Sequence, residues 1–295
     1  MIDFPTISLI ITHPGSAHKD DFLACALLLA FFNVRIERRD PTPAELEDPS
    51  IAVIDVGGLH EPEKNNFDHH QFPRDHAPTC SLSLILQALN RYDAARKFCP
   101  WLEPAEWFDS RGANATARFL GVDRAVINQL NSPIDVTLLR RFASMNRIYP
   151  GQAIHEIIKL VGQDLIAYID GLQKKIAYIE EFSHLWKLDS QAGERLVLFL
   201  PRRDPPAPEP SAGMTHFVES AGLADRVIGL VYPDRRGDGY GLSRYNDKPE
   251  LDFTRVQSET DVHFAHVRGF VAKTSATDPD RLLTLVKRSF RESAG

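Results

Sequence analysis

Residues 7–21 read Ile7-Ser8-Leu9-Ile10-Ile11-Thr12-His13-Pro14-Gly15-Ser16-Ala17-His18-Lys19-Asp20-Asp21. The first six are apolar and β-branched enough for a short strand buried on both faces. The Pro14-Gly15 pair then reads as a turn. Beyond it, Asp20 or Asp21 is placed to cap a helix through residues 22–29. Strand, turn and helix in this order open an α/β unit, whose ligands gather at the carboxyl ends of strands. His13 stands at that point.

Working outward, residues 34–38 (VRIER) predict a second strand and residues 43–46 a helical turn. Residues 51–56 (IAVIDV) predict a third buried strand, stopped by Gly57-Gly58. A helix is expected over 81–91, with Thr79 as its cap. The fold class implied is α/β, with a mostly parallel sheet in an N-terminal domain over residues 1–135. Ile154, Ile157, Ile158, Val161 and Leu165 recur at helical spacing, which predicts a helical connector over 136–190. A smaller C-terminal α+β domain is expected over 191–295. It would hold a strand at 195–200, a hairpin from 227–232 to 240–245, a mixed strand-and-turn segment at 263–272 and a helix at 281–290. The segment 202–210 carries Pro205, Pro206, Pro208 and Pro210, and reads as a domain linker or, favoured by the strand-like run just before it, an exposed loop inside the second domain. Gly237, Gly239 and Gly241 read as hairpin punctuation, because no strand–turn–helix surrounds them.

The chain has 295 residues and a formal net charge of −6. Its length suits two domains. Its charge excludes a whole-surface basic field, so nucleic acid would have to be met through a local patch or through metals. Cys25, Cys80 and Cys99 are sparse and unpatterned, which predicts buried free thiols rather than a disulfide framework or a CxxC zinc site. The N-terminal spelling lacks a basic leader region, and the longest apolar run, 22–32, falls short of the ~20 residues a bilayer span needs. A cytoplasmic protein is the expectation.

Six of the eleven histidines, His13, His18, His60, His69, His70 and His76, lie in the first 76 residues. His13, His18, Asp20 and Asp21 crowd the strand-to-helix turn, where side chains of this kind suit a metal. By itself this is also how a polar loop with a capping aspartate looks. Asp55 ends an apolar strand just before two glycines that let backbone pass close to a bound group. By itself an Asx-turn explains it. Asp68-His69-His70 sets two imidazoles in different directions behind a carboxylate able to orient one of them. Asp109, in Trp107-Phe108-Asp109-Ser110-Arg111-Gly112, says little alone.

Together the four stretches resemble the ordered motifs of the DHH phosphoesterase superfamily. The resemblance is nearest to its melanocyte-proliferating-gene-1 family of metal-dependent hydrolases with 3′→5′ exoribonuclease activity. It is carried by His13-x-Gly15-x-x-His18-x-Asp20, by Val53-Ile54-Asp55-Val56-Gly57-Gly58, and by Phe67-Asp68-His69-His70-Gln71. Glu61-Pro62-Glu63-Lys64 adds to it. Val231-Tyr232-Pro233-Asp234 and the segment from Phe264 through His266-Val267-Arg268-Gly269-Phe270 to Val271 resemble the family's second domain. Asp21 stands where the family has Glu, Ser110 departs from an Asp-Asn-Gly spelling, and Ala272-Lys273 replaces a glycine pair.

The resemblance implies a hydrolase with two divalent ions, Mn²⁺ first, with Mg²⁺, Co²⁺ or Zn²⁺ as alternatives. His13, His18 and Asp55 would hold one ion. Asp20, Asp55, His69 and Asp109 would hold the other, with Asp55 shared. Asp68 would orient a neighbour, and His70 would face the scissile phosphate. Arg244, His266, Arg268, Gly269 and Lys273 would grip the substrate, expected to be RNA or a short oligonucleotide. The competing readings are a small-molecule phosphohydrolase acting on pyrophosphate or on cyclic or short nucleotides, and a non-catalytic nucleotide-binding protein. The oligomeric state is left open, a homodimer included.

Overall fold

The computed structural model describes residues 6–129, 132–188, 193–204, 209 and 211–291. The chain divides into two compact units, Met1–Asp170 and Gly171–Gly295.

The first unit opens with β1 (Leu9–Thr12), α1 (Lys19–Leu29), β2 (Arg35–Arg38), α2 (Pro43–Leu46) and β3 (Ile51–Ile54). There follow β4 (His60–Glu61), β5 (Asn66–Phe67), α3 (Ser81–Ala88), α4 (Tyr92–Phe98), α5 (Leu102–Arg111), α6 (Ala113–Leu120), α7 (Arg124–Gln129) and α8 (Pro133–Ala143). It ends in β6 (Arg147–Ile148) and the long α9 (Ala153–Phe182), which runs on into the second unit.

The sheet order is β4-β5-β3-β1-β2-β6. The inner strands β5, β3, β1 and β2 are mutually parallel, and the two edges are antiparallel. Leu9, Ile11 and Val53 share one face of this sheet, as the two-residue period requires, and pack with Leu46, Ile51 and Val56. Helix α1 is buried nearly all round, in keeping with its unbroken apolar run. Gly162 of α9 lies so close to Ala26 of α1 that a Cβ there would stand 1.8 Å from the Ala26 carbonyl oxygen. Because the inner strands are parallel, Thr12, Arg38, Ile54 and Phe67 all end at one edge, and the segments after β1, β3 and β5 emerge there.

The second unit contains β7 (His184–Leu188), β8 (Arg195–Phe199), α10 (Met214–Ser220), β9 (Val227–Pro233), β10 (Tyr240–Arg244), β11 (Val262–Ala265), β12 (Val271–Thr274) and α11 (Pro279–Ser289). Its sheet runs β11-β12-β10-β9-β8-β7, antiparallel except for β8 with β9. Leu242, Ala272, Leu282, Leu285 and Val286 form part of a core between this sheet and α11.

The α/β class and the parallel-rich sheet follow the sequence reading, while several local expectations are corrected. The α1 helix starts at Lys19 with His18 as N-cap, so neither Asp20 nor Asp21 is the cap; Asp21 instead accepts the His18 N–H at 2.9 Å. Helix α3 starts behind Cys80, not Thr79, whose hydroxyl donates to Ala77 O. The stretch 136–190 is not uniformly helical. Strand β6 interrupts it, and residues 184–188 pair antiparallel with β8 as β7. The stretch His184-Leu185-Trp186-Lys187-Leu188 follows a long amphipathic helix without a Gly or Pro stop signal, which hides the strand. Residues 189–190, and 205–208 and 210 of the proline-rich segment, lie outside the described residues. All three cysteines are buried and free.

Candidate metal centre

At the carboxyl edge of the parallel strands, four acidic and imidazole side chains converge. Asp20 comes from the first turn of α1, Asp55 from the residue after β3, His69 from the loop after β5, and Asp109 from α5. One ligand-type atom from each lies within 4.8 Å of all the others. His69 Nε2 is 3.1 Å from Asp55 Oδ1 and 2.8 Å from Asp109 Oδ2. Asp20 is 2% exposed, and neither of its carboxylate oxygens has a hydrogen-bond partner. A buried carboxylate left in that state is costly, unless a cation compensates it.

Electrostatics agree with that reading. Burial, and then the Asp55, Asp109 and Asp21 carboxylates, push the Asp20 carboxyl well above the usual range. Burial disfavours a charged His69, but the Asp109 and Asp55 carboxylates outweigh it and raise its pKa to about 10. Burial likewise opposes ionisation of Asp109, yet His18 and His69 hold it well below the ordinary carboxylate range. The buried Asp20 and Asp55 and the partly buried Asp109 surround one imidazole, and mixed O and N donors of this kind fit a divalent ion such as Mn²⁺ or Mg²⁺.

The other motif histidines border this group. His13 donates Nδ1–H to its neighbour's carbonyl, Pro14 O, at 2.8 Å, since a carbonyl can only accept. Its Nε2 lies 3.0 Å from Asp21 Oδ2 and 3.5 Å from Asp55 Oδ2, and the Asp21 carboxylate raises the His13 pKa against burial. His13 Nε2 is buried without a hydrogen bond, as is His69 Nε2. His18 stands 3.5 Å from Asp109 and 5.7 Å, ring to ring, from His13. Six residues expected as ligands, His13, His18, Asp20, Asp55, His69 and Asp109, therefore occupy one neighbourhood, with Asp55 between His13 and His69.

Backbone geometry places Asp55 deliberately. Its φ is 60°, a left-handed conformation that a non-glycine residue adopts at a cost. Gly57 follows with φ 94°, and a Cβ there would press to 2.9 Å on Leu46. Asp68 accepts from Gly58 N–H at 2.7 Å, from His70 N–H at 3.0 Å and from His70 Nδ1 at 2.7 Å. Burial opposes ionisation of Asp68, but these contacts lower its pKa, so it is an acceptor and His70 Nδ1 carries the proton. The contact with Asp68 raises the His70 pKa against burial. The His70 side chain is 63% exposed, beside Asp55 at 3.8 Å.

Three residues around the cluster were not among the site residues expected from sequence. Ser81 Oγ, at the start of α3, donates to Asp55 Oδ1 at 3.1 Å. Asp21, noted as a candidate cap and as part of the polar turn but not among the expected ligands, is fully buried between His13 and Arg38. Arg38 Nη2 donates to the His13 and Ser16 carbonyls at 3.0 Å each and lies 3.4 Å from Asp21, with its guanidinium over the Phe142 ring.

In the second unit, His266, Arg268 and Gly269 share the turn between β11 and β12. Arg268 N–H donates to His266 Nδ1 at 3.1 Å. Gly269 has φ 69°, and a Cβ there would meet Asp252 Oδ1 at 2.1 Å, so only glycine fits. Arg244 adjoins this turn through its N–H to Phe270 O, and its Nε is committed to Leu251 O. Lys273 is not grouped with them: it pairs with Asp234 at 2.7 Å and lines a cavity of about 530 Å³ with Arg236, His263 and Phe264.

The fold and the cluster define an α/β protein with a candidate metal centre at the carboxyl edge of a parallel sheet. Residues 9–83 match the family model MYG1_exonuc, described as an uncharacterised protein family (UPF0160). A MYG1 protein of Chlamydia pneumoniae is 39% identical over 85 residues, 28% of each chain. A MYG1 exonuclease of Rattus norvegicus is 45% identical over 64 residues, 20% of this chain and 16% of that one. These matches bear out, over this segment, the resemblance to the melanocyte-proliferating-gene-1 family. The aligned part spans less than a third of those relatives' length. Among solved structures, the DHH domain of a member of a ribosomal-protein family covers 95% of this chain and 85% of its own, at 14% identity and a TM-score of 0.34. RecJ of Thermus thermophilus in complex with Mn²⁺ covers 95% and 51%, at 15% identity and a TM-score of 0.28. No helix among the described residues is long and apolar enough to cross a membrane.

Proposed function

We propose that the chain is a DHH-type, metal-dependent phosphodiesterase that shortens RNA or short oligonucleotides from the 3′ end. The observation that carries this reading is the convergence of Asp20, Asp55, His69 and Asp109, with both Asp20 oxygens buried and unpartnered. The exonuclease names of relatives sharing residues of this segment support the choice of reaction.

In this reading Asp20, Asp55, His69 and Asp109 hold one divalent ion, and His13, His18 and Asp55 hold a second. Such a pair, when bound, lowers the pKa of a water and neutralises charge on phosphoryl oxygens. The protein's own groups do the rest. Asp55 is fixed by its turn and by Ser81, so it would be available to both ligand sets without reorganising. Asp68 holds the proton on His70 Nδ1, and the raised pKa keeps the imidazole protonated further toward neutral pH. His70 Nε2–H is then available to donate to a phosphate oxygen or to the departing oxygen. His266, Arg268, Gly269, Arg244 and Lys273 are proposed to grip the substrate, and the chain is proposed to act in the cytoplasm. The division into a catalytic part at 1–135, a connector at 136–190 and a substrate part at 191–295 remains part of this proposal.

The test is a Mn²⁺-supplemented panel of short RNA, pyrophosphate and a cyclic dinucleotide. Stepwise loss of nucleotides from the RNA 3′ end is the expected result. Hydrolysis confined to pyrophosphate would replace the substrate, and no hydrolysis at all, with metal bound, would favour a binding protein.

A further inference from the structure

Asp109 is the cluster member farthest along the chain, and the helix that carries it has little apolar anchorage. Of the α5 residues only Leu102 and Glu106 are buried, while Phe108 is 48% exposed. An amphipathic helix is normally fixed by an apolar stripe. Here a carboxylate occupies the place of one.

Glu106, at 2% exposure, sits one turn before Asp109 and is held by side chains other than the metal cluster's. Its Oε1 accepts from Ser83 Oγ of α3 at 2.6 Å and from Tyr92 OH of α4 at 2.8 Å. Its Oε2 is 3.2 Å from Arg96 Nη1 of α4, and Arg96 also pairs with Glu103 of α5 at 2.9 Å. Burial and the adjacent Glu106 push the Tyr92 phenol well above its ordinary pKa, so it stays a donor. The carboxylate is therefore hydrogen-bonded on both oxygens, as a buried charge must be. Two turns of one helix then meet two different partners: Glu106 the side chains of α3 and α4, and Asp109 the imidazoles of His69 and His18. Helix α3 closes the link, because its first residue, Ser81, donates to Asp55 while Ser83, two residues on, donates to Glu106.

We infer that Glu106 is a positioning residue, which through Ser83, Tyr92 and Arg96 sets the rotation of α5 and so aims Asp109 at His69. It touches no member of the metal cluster. Its action is to keep the Asp109 carboxylate in register with the ion that Asp20, Asp55 and His69 would share. This rests on the proposed function for its consequence, but not for its geometry. Partners that orient metal ligands typically change affinity by ~10–100-fold when removed.

The experiment compares wild type, Glu106→Ala and Glu106→Gln by crystal structure and by calorimetric titration with Mn²⁺. In Glu106→Ala the Asp109 carboxylate leaves its 2.8 Å contact with His69, and one class of Mn²⁺ sites weakens by ~10–100-fold while the other changes little. Glu106→Gln keeps an acceptor for Ser83 and Tyr92, so it retains the contact and most of the affinity. Should Glu106→Ala not fold, the Ser83→Ala and Tyr92→Phe double variant removes the same two donors and is expected to behave alike. An unmoved Asp109 with unchanged Mn²⁺ binding in the folded variant overturns the inference. Wild type that takes up no Mn²⁺ sinks the proposed function instead, and the crystal structures still decide the role of Glu106.

Discussion

Asp109 Oδ2 lies 2.8 Å from His69 Nε2, although one residue comes from helix α5 and the other from the loop after β5. Asp55 flanks the same nitrogen at 3.1 Å, and Asp20 is buried beside them. Parallel strands make this possible, since β1, β3 and β5 release their chains at one edge of the sheet, where the first helix begins.

The Asp55→Ala variant is expected to lose hydrolysis, since Asp55 stands between both proposed ligand sets. A fall of ~10²–10³ in turnover is the scale for removing a group that stabilises charge in the transition state. Comparing initial rates on short RNA with saturating Mn²⁺ checks this, and turnover within a few-fold of wild type argues against a shared ligand.

Asp20 makes the stability of the metal-free protein fall as pH rises above the ordinary carboxylate range. Its folded pKa is raised well above the ordinary 3.8, so between the two values the folded state holds a proton the unfolded state has lost. Linkage then requires that this group's contribution to stability fall as pH rises from about 3.8 through the raised value. In chelator-treated protein, Asp20→Asn should lessen the decline of unfolding free energy across that window, measured by urea melts. Parallel pH curves for the two proteins would contradict it.

Arg38 braces the turn that carries His13 and His18. Arg38→Met strands the His13 and Ser16 carbonyls and leaves Asp21 buried without its cation, which places the cost at ~3–5 kcal/mol. Urea unfolding measures it, and a loss below about 1 kcal/mol, the scale of an exposed pair, would refute the bracing role.

Two glycines of α9 separate close packing from helix propensity. Gly162→Ala drives a methyl to 1.8 Å from the Ala26 carbonyl oxygen and should destabilise by ~1–3 kcal/mol. Gly171→Ala, where nothing lies within 4 Å, should instead stabilise by up to ~1 kcal/mol. Thermal melts of both variants read the two signs.

The legible parts of this protein were those with local spelling. The runs ending at Thr12 and Ile54 announced buried strands because both faces are apolar, and the histidines and aspartates after them stood out against that background. Asp109 was reachable only through the resemblance, since its helix gives no local sign of facing a metal centre. Arg38, Ser81 and Glu106 escaped for a related reason: each is an ordinary polar residue whose partners, His13, Asp55 and Ser83 with Tyr92, lie in other elements. The cap at His18 was missed because Asp21 satisfies the turn from the third helical position, leaving Asp20 to the site. Strand β7 was hidden because its pairing with β8 is a tertiary matter.

Anomalous diffraction from crystals grown with Mn²⁺ tests the central assignment most directly. The expected result is density for an ion within ligand distance of Asp20, Asp55, His69 and Asp109, with a second ion near His13 and His18. Crystals soaked to saturation that show no anomalous peak among those four side chains, while Mn²⁺ binds elsewhere on the protein, would contradict it.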